Sequence, residues 1–455
     1  MNDRPRHAVA AHRAGSPAPR QQPAHARSLP THGVARAVGM LLTAVLAFGL
    51  AGGATAALTL TGNIDSVNTD ELLATIDRPE AVEPTDPNGG DDLNIVIMGS
   101  DSRDGANGDF ASSEGTSGAR SDTTMVMHIS ADRSRVELIS IPRDSTVDIP
   151  ACPTTAGKTT SPVSHTKFNA AFAQGVLTGG DVASGALCTM TTIESLTDVR
   201  MDGFIVVDFA GFQKMIDALG GVQMCIPQDI DSPEAGNLVL SAGVQELDGA
   251  TALQYARARK GKGLGDGSDL GRIGRQQELM AALARTVLSK NLLTDSPALL
   301  RFLGAVTGSL TMSDNFASVQ GLAGLAYSSR NLRPDTITFM TVPYGADPTN
   351  PNNVVWTDEA DTVWDNINND RPANAAPDAA SGSTSGSTSG TTGASPSAAP
   401  SASGATGGST TDGGGAASAD VTAAATTPEP SPSPSETKKA GREAFTGADV
   451  TSVCG

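Results

Sequence analysis

The sequence predicts an α/β fold in which a central mixed β-sheet is sandwiched between helices. Short, nearly continuous apolar runs alternate along the chain with amphipathic segments of helical period, a combination typical of a sheet covered by helices on both faces. Arginines and aspartates recur where the apolar runs end, as in LNIVIMGSDSR and LISIPRDS. Charged residues at the strand ends of one α/β sheet project into a common crevice, so the pattern also predicts one polar site at an edge of the sheet.

The predicted elements follow from the period of the apolar residues. Strands are predicted over 93–98, 123–130, 135–141, 203–209, 222–226 and 336–342. Helices are predicted over 180–197, 208–219, 248–259, 271–290, 296–310 and 315–329. In the second of these helices Phe209, Phe212 and Ile216 recur at helical spacing, and Gly220 is expected to end the helix.

An uncharged apolar stretch from Val38 to Leu60 predicts a single transmembrane anchor, residues 38–60. At about 1.5 Å per residue, this stretch reaches across a hydrocarbon core about 30 Å thick. Residues 1–37 are polar and carry six arginines and one acidic residue, so they are expected to form a disordered cytoplasmic segment by the positive-inside rule. The rest of the chain is then expected outside the cell membrane. A cleaved signal peptide, with Ala54 and Ala56 near its cleavage site, is the alternative.

Composition divides the remainder of the chain into four parts. Residues 61–91 predict an extracellular stalk, and 92–370 a globular domain long enough for a sizeable core. Residues 371–443 consist largely of Ser, Thr, Gly, Ala and Pro, so they can bury little and are predicted to form a disordered tail. The short C-terminal end, 444–455, regains apolar residues but is too short for a domain.

The overall charge and the absence of several motifs exclude some classes of function. The formal net charge is -18 and the pI is about 4.7, so the field of the protein repels nucleic acid. An anionic substrate would need arginines and a cation to reverse the sign locally. The sequence has no HExxH spacing for zinc, no P-loop and no GxSxG nucleophile elbow.

The four cysteines are too widely spaced for CxxC metal or redox motifs. In an oxidising compartment they favour disulfides, and Cys152–Cys188 is the preferred of the three possible pairings. This bond would pin the loop after Pro150 to a following helix. The alternative is that Cys188 and Cys225 are buried as small apolar residues.

Three polar clusters flank predicted strands. Asp101 and Arg103 lie in GSDSR, Arg120 and Asp122 in RSDTT, and Arg143 in PRD. Aspartates at strand ends can hold a hard cation such as Mg²⁺, and the planar fork of arginine suits phosphate oxygens. Each cluster taken alone is also consistent with a polar turn or a surface salt bridge.

The segment YARARKGKGLGDGSDLGRIGRQQ is harder to explain as a solvated surface. Arg257 and Arg259 splay at the end of a predicted helix, and the glycines that follow are able to fold over a phosphate group. Asp269 is the expected N-cap of the next helix. Arg272 and Arg275 oppose the macrodipole at the start of that helix, so a bound anion is expected there.

Taken in order, these motifs resemble the LytR-CpsA-Psr family of membrane-anchored enzymes, in its actinobacterial type. The resemblance runs from about Asp92 to Pro343 and is carried by NIVIMGSDSR, RSDTTMVMHI, ISIPRD, KFNAAFAQG, VVDFAGFQKMIDALGGV, LDGATALQYARAR and DLGRIGRQQ. It implies a phosphotransferase that moves a glycopolymer from a polyprenyl-diphosphate carrier to peptidoglycan through a phosphodiester bond. The lipid-linked glycopolymer, peptidoglycan and the membrane are the implied partners, and 92–370 the implied catalytic domain.

The resemblance also assigns roles to residues that match the family motifs. A metal site for Mg²⁺, with Mn²⁺ as the alternative, falls on Asp101 and Asp122. The implied catalytic residues, most of which grip the diphosphate, are Arg120, Arg143, Arg257, Arg259, Asp269 and Arg272. Further diphosphate-binding residues are Arg103, Arg275 and Gln276. The general base would be Asp101, Asp122 or Asp269, and an apolar tunnel for the lipid tail is expected along 279–288 and 297–310.

Two other functions are compatible with the same sequence. A lipid-diphosphate hydrolase, with water as the acceptor, would use the same residues. A non-catalytic membrane regulator is the third hypothesis, because family members have been labelled transcriptional attenuators. The chain departs from many actinobacterial relatives, which carry an additional C-terminal domain where this chain has the tail 371–443.

Overall fold

The structure, a computed structural model, describes residues 65–80, 90–100, 120–265, 267–290, 310–317, 327–376 and 438–449, together with positions 302, 324 and 325. The predicted cytoplasmic segment 1–37, the anchor 38–60, most of the tail 371–443, and the site residues Asp101 and Arg103 lie outside the described residues. Within the described ranges, no helix has the length and apolar character needed to cross a bilayer.

Eight described strands form one mixed sheet. In chain order they are β1 (Asp65–Val67), β2 (Leu93–Ser100), β3 (Ser121–Ile129), β4 (Val136–Ile141), β7 (Gly203–Asp208), β12 (Leu310–Ser313), β13 (Ile337–Thr341) and β16 (Phe445–Thr446). Their spatial order is β1-β12-β7-β2-β3-β4-β13-β16. The pairs β1/β12, β7/β2 and β4/β13 are parallel, and the other neighbours are antiparallel. The predicted mixed α/β sheet is confirmed.

Helices and small hairpins surround this sheet. The helices are α1 (Thr69–Leu73), α2 (Ala170–Gly179), α3 (Val182–Thr197), α4 (Phe209–Leu219), α5 (Gly249–Arg257), α6 (Asp269–Ser289) and α7 (Asp358–Asn368). The antiparallel hairpins are β5 (Thr146–Ile149) with β6 (Val163–Lys167), β8 (Val222–Ile226) with β11 (Gly243–Leu247), β9 (Ile230–Ser232) with β10 (Leu238–Leu240), and β14 (Tyr344–Ala346) with β15 (Val354–Trp356).

The core has two layers because side chains alternate across the sheet. Val126 and Ile139 pack with α2, α3 and α7 on one face, whereas Met125 and Leu138 face the layer that contains α6. Burial on both faces explains why the central strands have nearly continuous apolar sequences. A third cluster, formed by α4, α5, α6 and the β8–β11 strands, extends the second layer. The sheet is therefore covered by helices on both sides.

The predicted strand 222–226 is observed with the same bounds, and the other five predicted strands differ from the observed ones by a few residues at their ends. Asp208 is the N-cap of α4, where its side chain accepts the N–H of Gly211 at 2.6 Å, and Gly220, with a φ of 76°, ends the helix as predicted. The helices α1, α2 and α7, the strands β1, β12 and β16, and the hairpin strands other than β8 were not predicted. The region predicted as a helix over 315–329 begins instead with a turn that follows β12.

Residues 65–80, predicted to lie in the stalk, belong to the folded domain. Strand β1 pairs with β12, and Leu73 is buried at 1% exposure. Arg78 donates to Glu194 at 2.6 Å and to the carbonyl of Met201 at 2.7 Å. The segment packs because Leu73 joins the first core layer, with Leu72 and Ile76 partly buried against it.

The chain returns to the domain earlier than the predicted boundary at 443. Residues 438–449 contribute β16 to the sheet, and Gly441 donates its N–H to the Gln277 side chain at 2.8 Å. On the other side of the low-complexity segment, Ala373 donates to Glu137 at 2.9 Å. Both ends of this segment are thus anchored on the domain, because Ala373 and Phe445 pack in the core clusters.

Phe445→Ala is expected to lower the free energy of unfolding by about 3 kcal/mol, the typical cost of removing a buried aromatic side chain. Phe445 is 1% exposed and stacks on Phe339 with ring centroids 5.3 Å apart. Urea denaturation measures the change. Leu177→Ala, at a side chain that is 72% exposed, is the control and should cost less than about 0.5 kcal/mol. Equal small effects would show that 438–449 does not dock.

Cys152 and Cys188 form a disulfide with Cα atoms 5.0 Å apart, the pairing favoured by the sequence. Both cysteines are fully buried in the first core layer. The bond joins the loop after Pro150 to α3, as expected. Cys225 is also disulfide-bonded, so the interpretation of Cys188 and Cys225 as merely buried thiols is wrong.

A cluster of titratable groups lies where β2 begins and β3 ends. The buried ring of His128 contacts Asn94 Oδ1 at 2.8 Å and Asp370 Oδ1 at 3.1 Å. Asp202 Oδ2 accepts the N–H of Asn94 at 2.7 Å. Burial raises the pKa of Asp202 to about 6, against the opposing hydrogen bond from Asn94 and with help from Asp92.

Asp202→Asn is expected to remove a decline in stability between about pH 4 and pH 6. Because the folded state holds this proton at a pH where the unfolded chain has released it, the free energy of unfolding falls as the pH rises through that range. The isosteric amide keeps an oxygen for Asn94 and does not titrate. Urea denaturation of both proteins across the range tests this, and parallel curves would contradict it.

Candidate active site

A cavity of about 430 Å³ opens at the edge of the sheet where β2, β4 and β7 end and β3 begins. Gly99, Asp122, Arg143 and Asp208 bring those strand ends to its wall. The carboxyl ends of the three similarly oriented strands meet at one edge, so the side chains that follow them converge. The single polar site predicted from the strand-end charges is therefore present as a real concavity.

The cavity has a cationic part and an apolar part. Five arginines from distant segments line it: Arg120, Arg143, Arg257, Arg259 and Arg272. Its apolar walls come from the central strands and from α4, α5 and α6: Ile97, Met98, Met125, Val207, Phe209, Phe212, Met215, Leu253, Ala256, Leu279 and Met280. A site of this composition fits a ligand that has a strongly anionic group joined to a hydrocarbon chain.

Two of these arginines, Arg143 and Arg272, form a connected ion-pair network with two aspartates. Arg143 contacts Asp122 at 2.6 Å and Asp269 at 3.0 Å. Arg272 contacts Asp269 at 2.7 Å and also donates to the backbone carbonyl of Asp122 at 3.0 Å. The network joins the start of β3, the loop after β4 and the first turn of α6, so each guanidinium is bound to at least one element other than its own.

The network leaves its buried charges unequally stabilised. Burial raises the pKa of the Asp122 carboxyl, but Arg272 and Arg143 outweigh it and bring that pKa below its usual value. For Asp269 burial prevails over the same two arginines, and its pKa is raised. Burial also lowers the pKa of Arg272 to about 10, despite Asp269 and Asp122. An anion bound in the cavity would add the counter-charge that the buried Arg272 lacks.

Arg257 and Arg259 reach the cavity from the end of α5. The guanidinium carbon of Arg257 lies 4.4 Å from the centre of the Phe209 ring, a cation–π contact that fixes its direction. Arg259 lies 4.0 Å from Asp122 Oδ2 and is 41% exposed. Gln276 also lines the cavity and donates to the carbonyl of Ala256 at 3.2 Å.

Arg275 differs from its prediction as a diphosphate ligand. It is not among the residues that line the cavity, and it is 9% exposed. Its guanidinium donates to the backbone carbonyls of Leu264, at 3.2 Å, and of Ala258. Arg275 therefore faces the protein interior rather than the ligand.

The glycine-rich loop and the N-cap of α6 also differ from their predictions. A Cβ on Gly261 or Gly263 would lie 2.3 or 2.2 Å from the carbonyl oxygens of Asp231 or Asp229, so these glycines allow close packing on the β9 region. None of the four loop glycines lines the cavity. Ser268, not Asp269, is the N-cap of α6. Asp269 occupies the first helical position, where its carboxylate reaches Arg272 and Arg143.

Sequence reasoning missed several residues around the site. Phe209 and Phe212 were interpreted only as part of the helical pattern of α4, yet with Met215 they form a wall of the cavity. Lys167 contacts Asp144 at 2.6 Å, directly beside Arg143. Gln277 is fully buried and donates to the Met340 carbonyl at 2.9 Å, which anchors α6 to the sheet. The quoted motif KFNAAFAQG contains Lys167 and was the available signal for it.

Asp122 is the described carboxylate best placed to contact a cation in the cavity. Its Oδ1 atom binds Arg143, but Oδ2 lies 3.7 Å from Arg272 and 4.0 Å from Arg259, beyond hydrogen-bond distance. The side chain is 37% exposed. Among the described residues no group of three or more acidic, histidine or cysteine side chains could hold a metal unaided. One carboxylate oxygen with ligand phosphate oxygens and water suits a hard cation such as Mg²⁺.

The mixed sheet covered by helices and the arginine-lined cavity at its edge together define the class of this protein. The family model LytR_cpsA_psr matches residues 57–369, which is more than half of the chain. The chain belongs to the LytR_cpsA_psr family, as the motifs indicated.

Several curated proteins are similar to part of the chain. It is 33% identical over 265 residues to the "Probable cell wall biosynthesis protein LcpB" of Corynebacterium glutamicum, covering 57% of each chain. It is 29% identical to the "Cell wall biosynthesis protein LcpA" of that organism, over 55% of this chain and 49% of the relative. The chain thus spans about half the length of these relatives. It is also 34% identical to the "Polyisoprenyl-teichoic acid--peptidoglycan teichoic acid transferase TagV" of Bacillus subtilis, over 36% of this chain and 38% of TagV.

Two solved structures are similar to the chain. A LytR-Csp2A-Psr enzyme from Actinomyces oris is 20% identical, with a TM-score of 0.46, over 67% of this chain and 96% of that one. B. subtilis TagV is 22% identical, with a TM-score of 0.43, over 61% of this chain and 94% of that one.

Proposed function

We propose that this protein is a phosphotransferase that moves a glycopolymer from a polyprenyl-diphosphate carrier to peptidoglycan. One observation carries the proposal: a single cavity joins five arginines to an apolar wall. A diphosphate would occupy the cationic part and the lipid chain the apolar part. The curated names of the relatives, which include a teichoic acid transferase acting on peptidoglycan, support this substrate class.

In the proposed reaction an acceptor hydroxyl of peptidoglycan attacks the phosphorus that bears the glycan. The new P–O bond forms as the bond from that phosphorus to the bridging oxygen breaks, and polyprenyl phosphate leaves with the electron pair. The hydroxyl proton passes to a carboxylate of the site, for which Asp122 and Asp269 are the described candidates. Asp122 lines the cavity, and the raised pKa of Asp269 makes it the stronger base.

The arginines would act by position and charge. Phosphoryl transfer requires little covalent work from a protein, and most of the catalysis comes from orienting groups and stabilising developing charge. Arg143 and Arg272 are held by Asp122 and Asp269 before the substrate arrives, so they pay little reorganisation when it binds. Arg120, Arg257 and Arg259 would complete the cationic rim around the leaving phosphate.

We propose Mg²⁺, or Mn²⁺ in its place, as the cofactor, held by Asp122 together with Asp101. When bound, such an ion neutralises phosphate charge and orients the diphosphate oxygens. Asp122 supports the proposal because its lowered pKa keeps it ionised and its Oδ2 is beyond hydrogen-bond distance of the neighbouring arginines. We further propose that the chain is anchored in the cell membrane through 38–60, with the catalytic domain outside, since the carrier lipid resides in that membrane.

The direct test incubates the full-length chain in detergent micelles with a polyprenyl-diphosphate-linked glycan, peptidoglycan fragments and Mg²⁺. Mass spectrometry should detect glycan phosphate attached to a muramic acid unit, with one polyprenyl phosphate released per bond formed. Release of glycan phosphate alone, at a rate independent of peptidoglycan, would instead identify a hydrolase. If no lipid-linked glycan is turned over, both enzymatic functions are excluded and the non-catalytic membrane regulator is favoured.

A further inference from the structure

The contacts of Arg275 explain how Arg259, which follows the end of α5, is held at the cavity. Helix α5 ends at Arg257, and the chain leaves the helix at Ala258, with φ of −58° and ψ of 131°, before reaching Arg259. The last carbonyls of a helix have no partner within the helix. Those at this end need donors from elsewhere if the segment is to keep one conformation.

Two neighbouring side chains of α6 supply these donors. Arg275 donates to the carbonyl of Ala258, the residue between Arg257 and Arg259, and Gln276 donates to the carbonyl of Ala256 at 3.2 Å. A cation is also favoured at a helix C-terminus, because it opposes the negative end of the helix dipole. The residue that is unfavourable at the start of α6 is therefore favourable at the end of α5.

Arg275 also closes the turn that carries Arg259. Its other terminal nitrogen donates to the carbonyl of Leu264 at 3.2 Å, and Leu264 is buried at 4% exposure. One guanidinium thus bridges two carbonyls, at 258 and 264, on either side of Arg259 and the exposed residues 260–262. Only a planar fork with several donors spans two acceptors in this way, and the single ammonium of lysine does not.

We propose that Arg275 is a positioning residue for Arg259, not a ligand of the diphosphate. From within the domain it fixes the backbone from which Arg259 extends, so that this partly exposed side chain reaches the cavity. The proposal rests on the proposed function for its ligand, but its structural part concerns only residues 256–264. It explains why Arg272 and Gln276 line the cavity while Arg275, on the same part of α6, binds backbone carbonyls instead.

The first measurement is a double-mutant cycle between Arg275→Met and Arg259→Ala, with geranyl diphosphate as the probe and calorimetry as the readout. In the otherwise native chain, Arg275→Met should weaken binding by roughly tenfold to a hundredfold, because Arg259 is no longer held where its charged hydrogen bonds to the diphosphate form. In the Arg259→Ala background the same change should cost less than about threefold, because coupled residues are not additive. Equal losses in both backgrounds would show direct binding by Arg275 and overturn the proposal.

Arg285→Met is the matched control. Arg285 lies on the same helix and donates to a backbone carbonyl, that of Gly447 at 2.7 Å, but it is not among the residues that line the cavity. Its replacement should leave geranyl diphosphate binding unchanged. If both variants lose stability alike and neither loses affinity per folded molecule, Arg275 is merely structural and the proposal fails. If Arg275→Met does not fold, Arg275→Lys, which keeps charge and volume, goes through the same cycle.

Hydrogen exchange separates this proposal from the proposed function. Amides of residues 256–264 should exchange faster in Arg275→Met than in the native chain, whether or not a diphosphate binds. If the native chain does not bind geranyl diphosphate, the proposed function fails, while faster exchange still supports the role of Arg275. Unchanged exchange in 256–264 would overturn that role.

Discussion

Arg143→Ala is expected to lower kcat/KM for glycan transfer by on the order of a thousandfold, the upper range for removing one preorganised donor to developing charge. Arg143 binds Asp122 at 2.6 Å and Asp269 at 3.0 Å. Its loss removes a cation from the cavity and leaves two carboxylates less compensated where an anionic substrate must bind. The transfer assay with the lipid-linked glycan measures this effect directly.

The chain provides a control at the other end of the same strand. Arg135 precedes β4 as Arg143 follows it, has 22% side-chain exposure against 19%, and binds Asp370 at 2.6 Å. Arg135→Ala breaks an ion pair of similar geometry far from the cavity. It should lower stability but keep kcat/KM within about twofold of the native value, since surface charges away from the site contribute little to transition-state binding. Comparable losses in both variants would mean that the Arg143 effect reflects folding.

The central strands were predictable because each is an apolar run bounded by polar residues. Burial on both faces makes such runs conspicuous, as in 136–141. The convergence of Arg143 with Asp122 was predictable for the same reason, since both flank strands of one sheet. The hairpin strands other than β8 were not, because three to five residues with mixed polarity carry too little periodicity to be distinguished from loops.

The docking of β16 depends on contacts that no local pattern encodes. Strand β16 follows a long low-complexity segment, and Phe445 finds its partner Phe339 more than a hundred residues earlier in the chain. Composition correctly identifies the low-complexity segment but says nothing of where it returns.

The separate tasks on α6 were in principle visible in the spacing. Arg272, Gln276, Leu279 and Met280 recur at i, i+4, i+7 and i+8 and line the cavity. Arg275 lies to one side of that stripe. Because an α-helix has 3.6 residues per turn, Arg272 and Arg275 point in different directions from α6. The carbonyl that Arg275 binds, at 258, lies at the end of α5.

Met215→Trp is expected to impair binding in the apolar part of the cavity while leaving the cationic part intact. Met215 lies on the apolar wall and takes no part in the ion pairs of Asp122, Arg143 and Asp269. A larger ring there occupies space that the lipid chain would fill, while the arginines remain in place. Binding of inorganic diphosphate should therefore stay within about twofold of native, whereas a long polyprenyl diphosphate should bind roughly a hundredfold more weakly, since each buried CH₂ contributes about 0.8 kcal/mol.

A chain-length series makes this test independent of any general loss of activity. In the native protein the affinity should rise from inorganic diphosphate through geranyl to farnesyl diphosphate, because each longer chain buries more apolar surface in the cavity. In Met215→Trp the rise should stop at a shorter chain. If both proteins bind all three ligands with the same affinity, the lipid does not occupy this wall, and the apolar residues serve only the core. The arginine site could then still bind a diphosphate, but one held without its tail.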